Sequence, residues 1–286
     1  MKKGYLKQLV VGGFLLGSLA GLAACGSDSG SAVGVTPTGK VVKGPVSGAS
    51  VRDKNGNVFA TTDANGVFAI TAQGPFTTTG GTYIPLNADG TAGTAVAAPP
   101  LSAPAGYSQI TPLSTIVASA PASQQADVET QLAAALAKMG VSDLKTADFS
   151  VKTDANSAAI VFAEAVGAVL STAANTSAAS DVKSAINSAV TSALISAVQT
   201  LSTASAPTAS QITSAITTQV STAITSNSAI VSAVPALVST ISAATTAAAT
   251  GANALPAGAL PVQSGTGGTG GTTGSTGGTG GTSGIK

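Results

Sequence analysis

Cys25 is the only cysteine in a chain of 286 residues that contains no histidine and no tryptophan. A lone thiol cannot form a disulfide within its own chain, and without histidine it lacks the base that would activate it as a nucleophile. The same absences remove the ligands of structural zinc and haem and the base of a Ser-His-Asp triad. What remains open to Cys25 depends on its surroundings. Lys2, Lys3 and Lys7 make a positive start, and Leu9 to Leu22 form an apolar run broken by small residues and Ser18. That pattern reads as an export signal, too short and too glycine-interrupted for a comfortable membrane span.

Other residues have types suited to chemistry but the wrong spacing or setting. Gly34-Val-Thr-Pro-Thr-Gly-Lys40 has the length of a phosphate-binding loop, yet Val41 stands where a magnesium-holding Ser or Thr belongs, and a strand follows instead of a helix. Ser142-Asp-Leu-Lys145 and Ser180-Asp-Val-Lys183 both read S-x-x-K, but neither Ser-Asp-Asn nor Lys-Thr-Gly follows. Asp53-Lys-Asn-Gly-Asn57 is similar to the start of a calcium loop, although Val58 replaces the turn glycine and Ala64 the bidentate Glu. A hairpin turn accounts for it better, and weak calcium binding through Asp53, Asn55 and Asp63 stays open. The eleven acidic residues are scattered, so no pair is forced together by spacing for acid and base catalysis. Without residues 1–24 the chain keeps nine basic against eleven acidic residues, a net charge of −2. That is no footprint for nucleic acid.

The elements that would position these residues divide by composition. Between Gly26 and Thr38 the chain is Gly, Ser, Ala, Thr, Val and Pro with one charge, Asp28, and reads as a flexible tether. From Gly39 the pattern is short strands over 39–43, 49–53, 57–62 and 67–71, with Asn55-Gly56 and Asn65-Gly66 as hairpin turns. From about Ala118 the period becomes helical. Val128, Leu132, Leu136 and Met139 predict a helix from near Pro121 to before Gly140, and Asp154 is the expected N-cap of a second, central helix reaching Ser171. Three further stripes follow: Ile186 to Leu201, then Ile212, Ile216, Val220 and Ile224, then Ile230 to Ile241, the last kinked or shortened by Pro235. Nine aromatic residues in the whole chain leave the core to Ala, Val, Ile and Leu. The Gly/Thr tract from Gly265 buries nothing and reads as a flexible tail.

Two sets of motifs carry a resemblance. Leu22-Ala-Ala-Cys25 resembles a bacterial lipobox, which implies acylation of the Cys25 thiol, cleavage before it and acylation of the new amino terminus; the alternative is an ordinary cleaved signal with a leftover thiol. In Gram-negative lipoproteins a residue other than Asp after the cysteine, here Gly26, implies the outer membrane. Gly44-Pro-Val-Ser-Gly-Ala-Ser-Val51 with Thr61-Thr-Asp-Ala-Asn-Gly-Val-Phe68 resembles the signature of carboxypeptidase-regulatory-like and Cna-B-like domains, which share a prealbumin-type sandwich. Leu101-Ser-Ala-Pro-Ala-Gly-Tyr107 with Ile110-Thr-Pro-Leu-Ser-Thr-Ile-Val117 resembles the arrangement that closes such a sandwich and opens a helical region in bacterial surface lipoproteins. Cna-B domains of pili often carry a Lys–Asn isopeptide bond promoted by a buried acid. Lys40 or Lys43 could supply the amine, but residues 39–117 contain no Glu.

The expected organisation is therefore α+β in separate domains: a signal peptide over 1–24, a tether over 25–38, a small antiparallel β-sandwich over 39–117, a helical bundle over 118–250 and a disordered tail over 251–286. The expected function is a lipid-anchored, non-enzymatic structural or adhesive module of the cell envelope with lipidation at Cys25, no catalytic or metal residues and no cofactor. Its expected partners are the membrane, through the anchor, and an envelope or surface protein. The alternative is a binding module whose helical domain holds an apolar ligand or a partner helix.

Overall fold

Repeated five-residue loops set the turns of the strand region. In Asp53-Lys-Asn-Gly-Asn57 the Asp53 N–H donates to the Asn57 carbonyl and the Gly56 N–H to the Asp53 carbonyl, both at 3.0 Å. The same two bonds recur in Asp63-Ala-Asn-Gly-Val67 at 3.0 Å and in Asn87-Ala-Asp-Gly-Thr91 at 2.9 Å. Gly56, Gly66 and Gly90 hold φ of 81°, 77° and 82°, the left-handed conformation that a three-residue hairpin loop needs at its last position.

The computed structural model describes residues 36–262. Its strands are β1 (Thr38–Val41), β2 (Ser50–Arg52), β3 (Val58–Thr61), β4 (Val67–Ala69), β5 (Phe76–Thr79), β6 (Thr82–Tyr83), β7 (Val96–Ala97), β8 (Ser102–Ala103) and β9 (Gln109–Ile110). Then come helices α1 (Pro112–Ser119) and α2 (Gln125–Ala137), strand β10 (Val151–Lys152), helices α3 (Ser157–Ala174), α4 (Ser180–Thr203), α5 (Ala209–Thr225), α6 (Ser228–Ala233) and α7 (Leu237–Ala254), and strand β11 (Gly258–Ala259). This is an α+β arrangement of small sheets followed by helices. One sheet has the order β4-β1-β9, another β3-β2-β5-β8, and β6-β7 and β10-β11 are two-stranded. All pairings are antiparallel except β1 with β9, where the chain returns beside its first strand before entering α1.

The Asn55-Gly56 loop joins paired strands, as its residues predict. The Asn65-Gly66 loop does not. It carries the chain from β3, paired to β2, across to β4, paired to β1. Phe68 of one sheet meets Phe59 and Phe76 of the other edge to face, with ring centroids 6.1 and 6.2 Å apart, and Phe59 lies 5.5 Å from Phe76 within their own sheet.

Helix α1 starts from a capping box in which Thr111 and Ser114 satisfy each other's backbone N–H, with Pro112 in the first turn. Ser114 then donates to the Ser102 carbonyl at 2.8 Å, and Thr115 accepts from the Ser102 N–H at 2.9 Å. The hydroxyls of the Thr-Pro-Leu-Ser-Thr stretch thus clasp β8. The expected domain boundary after residue 117 falls inside α1. Buried side chains run without a break from the strands through Leu113, Ile116 and Val117 into the helices, so residues 36–262 are one compact unit.

Pro121 to Gln124 form a turn, and α2 begins only at Gln125. It closes where Val141 N–H reaches the Leu136 carbonyl at 2.9 Å around Gly140, whose φ is 81°. A Cβ on Gly140 would lie 1.8 Å from the Ala155 carbonyl oxygen, so close approach also demands glycine there. Asp154 is exposed and is not the cap of α3; Asn156 stands at that position and spends its amide on Val151 and Thr153. Helix α3 is the one helix among the described residues long and apolar enough to cross a membrane, and it is mostly buried inside the bundle, against α7, α4, α5 and α1. In α5, Ile212, Ile216, Val220 and Ile224 are all at most 1% exposed, so this stripe is core. Pro235 separates α6 from α7, and α7 runs to Ala254, past the expected end at 250.

Candidate functional site

The residue on which the sequence reading turns, Cys25, lies outside the described residues, as do Gly34 and Val35 of the phosphate-loop-like stretch. Lys40 of that stretch is on β1 and bonds to Asp148, at 3.1 Å, and to the Ser150 hydroxyl. Its ammonium is committed within the fold.

The carboxylates of the turns are spent locally. Asp53 accepts from the N–H groups of Asn55 and Asn57 at 2.9 Å, and Asp63 does the same with Asn65 and Val67 at 2.8 Å. Asp53 and Asp63 therefore each close their own loop. Among the described residues no three Asp, Glu, His or Cys side chains gather where a metal ion could sit.

These local bonds hold several carboxyls below the ordinary value of 3.8. Desolvation opposes the effect at Asp53 and Asp148, but the N–H donors of Asn57 and Asn55 outweigh it at the first, and Ser150 with Lys40 at the second. Thr91 lowers Asp89, and Thr146 with the Lys145 N–H lowers Asp143. A folded carboxyl lower than its unfolded counterpart adds stability that is present above the unfolded value and lost as pH falls through the folded one. With no histidine to titrate in between, the melting temperature is expected to hold from neutral pH down to about 3.8 and to fall below it. Loss beginning near pH 6 would contradict this, since only histidine titrates there unperturbed.

In the first S-x-x-K stretch, Lys145 pairs with Glu129 at 2.8 Å and sits 5.7 Å from the Tyr107 ring centre, and it makes no bond to Ser142. The buried Tyr107 hydroxyl is pushed well above the ordinary tyrosine range, first by burial and then by the Glu129 carboxylate. In the second, Ser180 and Lys183 are both exposed in the first turn of α4. Neither pair is a nucleophile and base.

The one buried ion pair among the described residues joins Lys43, just after β1, to Glu164 in the middle of α3. Lys43 Nζ lies 2.7 Å from Glu164 Oε2 and 4.9 Å from the centre of the Tyr83 ring; the residues are 2% and 5% exposed. Burial works against the ammonium, but Glu164 and Tyr83 outweigh it and hold Lys43 above the ordinary lysine value. Residues 39–117 contain no Glu, and the carboxylate that meets Lys43 comes from α3. Sequence reasoning passed over Glu164, although it is the only charged residue between Asp154 and Asp181, set within the most apolar helix. Such a charge needs a buried partner.

A second buried lysine, Lys152 on β10, donates to the carbonyls of Ala252, Asn253 and Leu255 at 2.7, 2.9 and 2.6 Å, where α7 ends. Burial pulls it below the ordinary lysine range, against Asp154. Both lysines tie strands to helices. No known protein family, curated protein or solved structure matches the chain.

Proposed function

We propose that this chain is an exported, lipid-anchored protein of the cell envelope, held by acyl groups on Cys25, and that residues 36–262 serve as a structural or adhesive module without catalysis. The observation that carries this reading is Leu22-Ala-Ala-Cys25 at the end of an apolar run with a basic start, around the only thiol in the chain. Two or three acyl chains would anchor it stably, where one alone binds marginally. Gly26 favours the outer membrane, on its periplasmic face or at the cell surface. A non-catalytic role agrees with how the ionisable groups of the described residues are used, in closing turns and joining strands to helices. The meeting of Phe59, Phe68 and Phe76 across two sheets supports a sandwich of the carboxypeptidase-regulatory-like kind. Envelope or surface proteins are the partners this reading calls for.

Labelling with a fatty-acid analogue, together with mass determination of the amino terminus, tests the anchor. The wild type is expected to take up label and begin at an acylated Cys25, whereas Cys25→Ser is expected to lose all label and keep residues 1–24. Fractionation would not separate the two, because the uncleaved apolar run also holds a chain at the membrane. A wild-type protein recovered after conventional cleavage, with a free thiol at Cys25, would overturn the reading.

A further inference from the structure

The hydroxyl side chains of α4 fall into two sets. Ser184, Ser196 and Thr200 each donate back to the carbonyl four residues earlier, and Ser202 and Thr203 to the one three earlier. That is the ordinary habit of Ser and Thr inside helices. Ser188, Thr191 and Ser192, in the middle of the same helix, make no such bond within the described residues. With Asn187 and Ile195 they occupy one face, at helical spacing. This face is one wall of a groove of about 590 Å³.

The opposite wall is Ser119, which ends α1, with Pro121 and Gln124 of the turn into α2. Here too the polar side chains are uncommitted. Neighbouring Gln125 turns its amide inward to the carbonyls of Ala118 and Ala120, while the side chains of Gln124 and Ser119 make no bond within the described residues. Across both walls, the groups left without an internal partner face the same space.

We propose that this groove binds a neutral oligosaccharide. No charged residue lines it, and the chain carries no charge at all from Ser184 to Ile285. An ionic ligand would give up hydration there without gaining an ion pair. The hydroxyls of Ser and Thr and the amides of Asn187 and Gln124 both donate and accept. Sugar hydroxyls do likewise, so adjacent ones can be met in pairs. Pro121 and Ile195 offer the apolar surface that the C–H face of a sugar ring covers. The volume lies within the range of about 300–1,000 Å³ usual for small-molecule sites. The inference rests on the adhesive reading above and gives it a partner class.

The test uses the isotope-labelled mature chain, titrated with two neutral tetrasaccharides, maltotetraose and tetra-N-acetylchitotetraose, and with tetragalacturonate as a charged probe. The side-chain amide resonances of Gln124 and Asn187 are expected to shift saturably with at least one neutral probe and to stay still with tetragalacturonate. Gln124→Ala combined with Asn187→Ala, followed through the backbone amides of Ser188, Thr191 and Ser192, is expected to weaken that binding about tenfold, the loss of roughly one good hydrogen bond. Both side chains are exposed, so the fold survives the change. Ser188→Ala with Ser192→Ala, which leaves the amides in place to report, is expected to weaken it as well. The proposal is overturned if neither neutral probe moves the two amides at about 10 mM, a concentration that detects even millimolar binding, if the variants bind unchanged, or if tetragalacturonate binds there equally well. Acylation of Cys25 is read separately by mass. Lipidated protein that ignores both sugars overturns the groove alone, and wild-type protein recovered from cells with a free Cys25 thiol that still binds a sugar overturns the anchor alone.

Discussion

Glu164→Ala is expected to destabilise the fold by about 3–5 kcal/mol, because removing one member of a buried ion pair strands the other charge. Lys43 has little room to escape. Its stem lies against Gly167, where even a Cβ would come within 2.1 Å of Lys43 Cδ, and its ammonium is held between Glu164 and the Tyr83 ring. Removing both charges together, as Lys43→Met with Glu164→Leu, is expected to recover most of the loss, since apolar replacement of a whole buried pair is often neutral or better. Denaturant unfolding of the two single variants and the double variant closes the cycle. A Glu164→Ala midpoint equal to wild type would show that the pair is not buried in solution. The pH dependence has a definite sign. A lysine raised in the folded state contributes its full stability below the unfolded value, near 10.5, and loses it only as pH climbs through the raised one.

The same pair bears on the isopeptide chemistry that the Cna-B resemblance brings with it. An amide between Lys43 and an Asn side chain would release ammonia, and one with Glu164 would release water. Lys43 Nζ bonds to the carboxylate and main-chain carbonyl of Glu164, and no Asn carboxamide is among its partners. For residues 36–262, an intact mass equal to the sequence value is therefore expected.

Local chemistry was the legible part of this sequence. The Asp-x-Asn-Gly-x loops, the stripes at spacing four and the break at Pro235 each depend on residues a few positions apart, and each lies where its pattern points. Pairing was less legible. Nothing within Asp63-Ala-Asn-Gly-Val67 distinguishes a turn between paired strands from one that changes sheets, because the loop makes the same bonds in either case. The choice lies in non-local partners, β2 for β3 and β1 for β4. Helix α1 escaped because eight residues give too few turns for a period, and its Ser and Thr hydroxyls, unremarkable in a chain so rich in them, are fixed by a capping box and by β8. The expected boundary at 117 followed composition, whereas the core follows contact between α1 and the strands. As for the site, the anchoring cysteine was legible only as sequence and lies outside the described residues. Glu164 had a local signal, a lone acid in an apolar helix, but its partner lies 121 residues away.

Lys152→Met is expected to lower stability by about 3 kcal/mol and to fray the end of α7 before the rest of the fold. The last carbonyls of a helix have no partner within it, and the helix dipole places partial negative charge there. Lys152 meets three of these groups, those of Ala252, Asn253 and Leu255, from a position only 6% exposed. Methionine keeps the apolar stem but removes all three donors. Charge-assisted bonds contribute about 1.5–3 kcal/mol each, and water entering at the frayed end will replace part of that sum. The carbonyls cannot easily turn elsewhere. Gly251 in the last turn packs so closely on the Asn87 loop that a Cβ would lie 2.3 Å from the Asn87 carbonyl, and a Cβ on Gly90 of the same loop would lie 2.8 Å from the Leu255 nitrogen. Beyond the helix, the Leu260 N–H bonds to Ser150 at 2.8 Å and β11 pairs with β10, so the strand that carries the lysine also holds the chain after it. Hydrogen exchange localises the effect. Protection of the Leu255 amide, which donates to the Gly251 carbonyl, is expected to fall well before that of amides near Ile241, deep in the same helix. Equal loss along all of α7 would mean that Lys152 supports the whole bundle, and unchanged protection at Leu255 would mean that the three carbonyls do not depend on it.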